Sequence, residues 1–164
     1  MAKTVIVNST PLISLSAIDQ LDLLQQLYGM VFIPEAVREE IMAKPSSKAA
    51  QQLARNNSWL QARTIENIQH KQTFRTQLHA GEVEVMILGQ ELQADLLIMD
   101  DLLARKYADY LGFKVVGTIG ILLLAKSKGL IFAVKPLLDQ LIAQHIYIGN
   151  KLYSDALKLA KEIS

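Results

Sequence analysis

Short aliphatic blocks alternate with helical stretches of about ten residues along this chain, and that rhythm constrains the fold more than any other feature. Residues 4–7 are all β-branched, the composition of a strand covered on both faces. Ser9 or Thr10 is then expected to cap a helix whose first position is Pro11. A helix over 21–28 stops at Gly29, a strand follows over 31–33, and Pro34 opens a helix over 35–43. A polar helix over 48–56, a strand within 59–65 and a helix from about 67 come next. The second half predicts helices over 82–92, 102–111, 119–128, 136–144 and 154–162, with strands over 95–99 and 113–116. Gly112 and Gly129 are natural left-handed stops. Strands separated by helices of this length make βαβ units, so the fold class is α/β with a mostly parallel sheet.

Composition narrows the function. With 164 residues, 51% of them hydrophobic and 6% aromatic, the chain can bury one aliphatic core. No linker, repeat or low-complexity tract divides it, so residues 1–164 read as a single domain. Seventeen Lys and Arg against sixteen Asp and Glu leave a formal charge of +1, which gives no bulk case for nucleic acid but allows a local basic rim. The absence of cysteine excludes disulfides and thiolate sites. MAKTVIVNSTPLI lacks the apolar core of a signal peptide, and no apolar run approaches the length of a membrane span. A soluble cytoplasmic protein without a membrane partner is expected. There is no glycine-rich phosphate loop and no G-x-S-x-G elbow. His70, His79 and His145 are dispersed without metal-ligand spacing and read as surface or packing residues.

In open parallel sheets the site lies beyond the carboxyl ends of the strands, where strand order reverses. Asn8, the pair Asp100 and Asp101, and Gly117 with Thr118 all follow strands. Asp101 can cap the helix beginning at residue 102; Asp100 is then left over. In IPEAVREEIM, Val37 and Ile41 mark the buried stripe; Glu40 is about 60° from Val37 and Glu39 about 160° from it, so Glu40 stands at the core edge and Glu39 faces water. Glu82 and Glu84 lie in the apolar HAGEVEVMILGQ. A buried carboxylate must be paired or bind a cation; the helix dipole accounts for Glu82 and leaves Glu84 unexplained. Oxygen donors without His or Cys suit Mg²⁺ or Mn²⁺, the ions of phosphodiester cleavage.

The stretches VIVNSTPLI, VFIPEAVREEI, HAGEVEVMILGQELQADLLIMDDLLARKYADYLGFKVVGTIGILLLAKSKGLI and VKPLLDQLIAQHIYIGNKLYSDALKLA occur in an order that resembles a prokaryotic PIN-domain family of unknown function, related to the ribonucleases of toxin–antitoxin pairs. The likeness runs along nearly the whole chain. It implies a three-layer α/β/α fold whose sheet-edge acidic residues hold Mg²⁺ or Mn²⁺ and cut RNA. The four acidic positions of the family fall on Asn8, Glu40, Glu82 and Asp100, with Glu84 and Asp101 as alternatives. By the same resemblance Glu40, Glu82 and Asp100 are catalytic and Thr118 lines the pocket; Arg105, Lys106, Lys114 or Lys126 are the expected phosphate contacts. A solvated helix face is the other reading of Arg105 and Lys106. RNA, an antitoxin protein and a second copy of the chain are the implied partners.

Asn8 departs from the aspartate usual in the family. An amide oxygen can ligate a metal or accept a hydrogen bond, but it brings no charge and cannot act as a base. Three outcomes stay open: an active nuclease, a slow one, or a non-catalytic scaffold that binds nucleic acid or a partner protein. A phospho-receiver domain is set aside, because its acidic pair belongs after the first strand, where this chain has Asn8 and Ser9.

Overall fold

The computed structural model describes residues 3–55, 57–73 and 78–164. Its strands are β1 (Val5–Val7), β2 (Val31–Pro34), β3 (Leu60–Arg63), β4 (Leu96–Ile98) and β5 (Val115–Val116). All pair in parallel, in the order β3-β2-β1-β4-β5. Helices α1 (Ser9–Ala17) and α2 (Asp22–Tyr28) connect β1 to β2. Helices α3 (Glu35–Met42) and α4 (Lys48–Ala54) connect β2 to β3. A 3₁₀ turn over Ile68–Thr73 and α5 (Ala80–Leu92) lead to β4, and α6 (Leu102–Tyr110) leads to β5. The chain closes with α7 (Thr118–Ser127), α8 (Lys135–Ala143) and α9 (Asn150–Leu159). This is a three-layer α/β/α architecture.

The β-branched run at the start becomes the middle of the sheet. Val5, Ile6 and Val7 are each 0% exposed, and β1 pairs with β2 through Ile6↔Phe32 and with β4 through Ile6↔Leu97. Covering both faces buries each of these side chains completely, which stabilises by about 2 kcal/mol per residue. Ile33, Leu97 and Ile98 join them in the core, with Met86 and Ile87 of α5 and Ile121 of α7.

Most predicted elements are present with ends shifted by up to four residues, the largest at the start of α9, and a few differ for physical reasons. Helix α1 begins at Ser9 with Asn8 as its N-cap, rather than at Pro11. The amide of Asn8 makes a further sheet bond, to the carbonyl of Ile98 at 2.9 Å, and its extended backbone (ψ 169°) turns directly into the helix. The helix expected from about 67 is a 3₁₀ turn over Ile68–Thr73, and its continuation over 74–77 lies outside the described residues, as does residue 56, the expected end of α4. Gly112 and Gly129 do end α6 and α7 with φ of 91° and 76°, a backbone that side chains with a Cβ resist. Among the described residues no helix is long and apolar enough to cross a membrane.

From β1 the chain builds outward to β2 and β3, then returns to add β4 and β5 on the other side. Strand order therefore reverses between β1 and β4. The crevice expected at such a reversal opens where Asn8 and Asp100 leave the sheet.

Candidate active site at the carboxyl edge of the sheet

The site begins with an unpartnered atom. Asn8 is 3% exposed, and its side-chain Oδ1 has no hydrogen-bond partner among the described residues. An N-cap oxygen ordinarily accepts from the amide two or three residues on. Here the third is Pro11, which has no N–H, so the sequence itself removes one of the two usual donors. A buried acceptor left unpaired costs about 1–3 kcal/mol, a penalty that a bound donor or cation relieves.

Gly81, in the first turn of α5, forms the floor beside it. A Cβ built on Gly81 would lie 3.6 Å from Asn8 Oδ1, 3.4 Å from Glu40 Oε1 and 3.3 Å from Val37 Cγ2. The glycine thus keeps open the space onto which the amide of Asn8 and the carboxylate of Glu40 both look. Glu40 is exposed as a residue, but its carboxylate reaches over α5, as its place at the edge of the buried stripe suggests. Glu82, 6% exposed, accepts a hydrogen bond from the backbone amide of His79 at 2.9 Å and so closes the start of α5.

Glu84 receives the explanation that the sequence did not offer. One of its oxygens accepts from the amide of Ala36 at 3.1 Å, near the start of α3, and the other pairs with Lys71 Nζ at 2.7 Å. Both oxygens are therefore occupied in tying α5 to α3 and to the 3₁₀ turn.

Across the β1–β4 boundary, Asp100 is gripped by one residue. Its Oδ1 accepts from the Thr118 amide at 2.7 Å and its Oδ2 from Thr118 Oγ1 at 2.6 Å. Thr118, 5% exposed at the head of α7, thus orients the carboxylate. Gly117 leaves no room for anything larger, because a Cβ there would sit 2.8 Å from Asp100 Oδ1 and 3.0 Å from Arg105 Nη1. The guanidinium of Arg105 and the carboxylate of Asp100 therefore flank the same glycine. Asp101 is the exposed N-cap of α6, accepting from the Ala104 amide at 2.9 Å.

The basic candidates divide. Arg105 is half-buried beside Asp100, whereas Lys106 and Lys114 are exposed. Lys126 pairs with Glu162 at 3.0 Å and donates to the carbonyl of Ala160, which corrects its expected place among the phosphate contacts. Its ammonium is used to fasten the C-terminal segment.

Among the described residues, no three His, Cys, Asp or Glu side chains stand close enough together to hold a metal ion. The expected residues instead form two adjoining groups. Asn8 and Glu40 meet over Gly81, next to Glu82, and Asp100, Thr118 and Arg105 gather around Gly117. Glu82, Glu84 and Asp100 are each held by a local N–H, O–H or ammonium donor. The donor set around Asn8 and Glu40 is nevertheless all hard oxygen, the donor type that Mg²⁺ and Mn²⁺ take.

A cavity of about 510 Å³ adjoins the Asp100 group. Thr10, Asp100, Arg105 and Thr118 supply polar lining, and β5, α8, α9 and the loop between those helices supply apolar walls, including Ile146, Tyr147 and Ile148. Sequence reasoning missed this wall. The only signal is HIYIG, four apolar or glycine residues after His145 without helical periodicity, between two amphipathic helices.

Comparison with curated proteins gave no match. A family model described as PIN domain matches residues 4–162, from β1 to just beyond α9, and so takes in every residue of both groups. Because the match covers nearly the whole chain and the parallel sheet opens its crevice at the same residues, the protein belongs to the nuclease-like PIN-domain family.

Proposed function

We propose that the protein is a divalent-metal-dependent ribonuclease working at the carboxyl edges of β1 and β4. The observation that carries this reading is the buried, unpartnered Asn8 Oδ1 facing Glu40 across Gly81. Asn8, Glu40, Glu82 and Asp100 would hold Mg²⁺ or Mn²⁺, with Glu84 and Asp101 as alternative carboxylates nearby. The ion, when bound, would lower the pKa of water and offset phosphodiester charge. Thr118 fixes the direction of Asp100 through two hydrogen bonds. Arg105 contacts the phosphate beside Asp100, and exposed Lys106 adds salt-sensitive attraction for the strand. Asn8 orients a ligand without adding charge.

The family resemblance further supports a toxin role in the cytoplasm, held in check by an antitoxin protein. Incubating the purified chain with mixed RNA and Mn²⁺ tests the chemistry. Cleavage is expected to stop with EDTA and with Asp100→Asn; cleavage that survives both sinks the proposal.

One observation favours a second reading, a scaffold that binds nucleic acid or protein without cutting. The first acidic position is a neutral amide, and Glu82, Glu84 and Asp100 already have protein partners. Calorimetric titration with Mn²⁺ separates the two readings: no binding, with RNA left intact, selects the scaffold.

A further inference from the structure

The cavity beside Asp100 has a composition unlike the rest of the site. Its charged groups, Asp100 and Arg105, belong to one side, whereas Val116, Ile119 and Leu152 make the remaining lining largely apolar. At about 510 Å³ it falls within the range of small-ligand clefts, about 300–1,000 Å³. Tyr147 lines it yet is 91% exposed, and a Cβ built on Gly149 would lie 3.6 Å from the Tyr147 hydroxyl, so the hydroxyl edge of the ring adjoins a glycine and most of the ring is open to a ligand.

An occupant that sets an anionic group on the Arg105 guanidinium, clear of the Asp100 carboxylate, and a flat, mostly apolar body in the rest of the cavity matches this lining. A nucleotide has that division, phosphate at one end and a base with two π-faces at the other. A duplex does not offer it, because stacking and pairing hide the bases. We propose that this cavity is a subsite for one unpaired nucleobase of the RNA strand, placed next to the phosphodiester at Asp100, with Tyr147 as its stacking platform. The inference rests on the ribonuclease reading. Few polar side chains line the apolar part, so the subsite takes any base and reads strandedness rather than sequence.

The test uses a short single-stranded RNA carrying one 2-aminopurine, titrated with the full chain in EDTA so that the strand stays intact. Fluorescence of the probe is expected to change on binding, and a hairpin duplex of the same sequence should bind about tenfold more weakly or worse. Tyr147→Ala should weaken single-strand binding by about tenfold or more, the scale of one lost base stack, and Tyr147→Phe should restore it. Because Tyr147 is 91% exposed, its truncation leaves the core intact. Equal binding of duplex and single strand, or Tyr147→Ala binding within twofold of wild type, overturns the subsite. A wild-type dimer in sedimentation that Tyr147→Ala dissociates also overturns it, since the cavity is then a subunit face. Stacked binding as expected without Mn²⁺-dependent cleavage refutes the nuclease reading and leaves the base subsite standing.

Discussion

Replacing Asn8 by aspartate tests the site through stability before any substrate is added. The two side chains have the same shape, so Asn8→Asp introduces neither a cavity nor a clash, only a charge. That charge enters a position 3% exposed, where Oδ1 has no donor and where Glu40 Oε1 lies across Gly81. An uncompensated buried carboxylate costs about 3 kcal/mol. For a domain of this size each kcal/mol moves the melting temperature by about 2–4 °C, so in EDTA at neutral pH the variant should melt about 6–12 °C below wild type. Burial holds the new carboxyl's folded pKa above its unfolded value of about 3.9, so the penalty is absent below that pH and grows as pH rises. Mn²⁺ at a hundred times its Kd should return about 2.7 kcal/mol, nearly the whole loss, and the rise should exceed that of wild type at the same concentration. Thermal melts in EDTA and in Mn²⁺ read all three effects. A variant that melts with wild type in EDTA, or that gains no more from Mn²⁺ than wild type does, refutes the reasoning.

Other substitutions separate site from scaffold. Gly117→Ala puts a Cβ 2.8 Å from Asp100 Oδ1 at an ordinary backbone conformation (φ −99°), so the carboxylate must shift: RNA cleavage should fall at least tenfold and denaturant unfolding should shift by about 1–3 kcal/mol. Thr118→Val removes the hydroxyl donor to Asp100 Oδ2 but keeps the amide donor to Oδ1; it should cost about 1–2 kcal/mol and lower kcat more than KM. Glu162 acts far from the site. Burial pushes its carboxyl pKa up, but the amides of Val134 and Lys135 and the Lys126 ammonium outweigh burial and hold it below the ordinary value. Its contribution is therefore present above the unfolded pKa of about 4.3 and lost as pH falls through the folded one. Glu162→Ala should cost about 1–3 kcal/mol in urea unfolding at pH 7, and the difference from wild type should shrink toward pH 3.

The sheet was legible because its signals are local. An all-β-branched run such as Val5–Val7 has few alternatives to a doubly covered strand, and Gly112 and Gly129 mark helix ends by their own backbone freedom. Asp101 as an N-cap is equally local. What stayed hidden depends on residues far apart in sequence. The Thr118 grip on Asp100 spans 18 positions, and the partner of Glu84 within α3 lies 48 positions away. Glu84 therefore looked unexplained in an apolar helix, although Ala36 and Lys71 account for it. The N-cap was misplaced for a related reason: Pro11 suggested a helix start, but Asn8 is set by its bond to Ile98 on a strand reached only after α5. The apolar wall around Tyr147 belongs to a loop, where no periodicity announces burial.

Anomalous diffraction from crystals soaked in Mn²⁺ addresses the central claim most directly. The account predicts a Mn²⁺ peak at the carboxyl ends of β1 and β4, with Asn8 Oδ1 and at least two of Glu40, Glu82 and Asp100 among its ligands, and the Asn8 amide no longer unpartnered. Saturating Mn²⁺ with no peak there, or a peak confined to surface carboxylates such as Asp139 or Asp155, would contradict it.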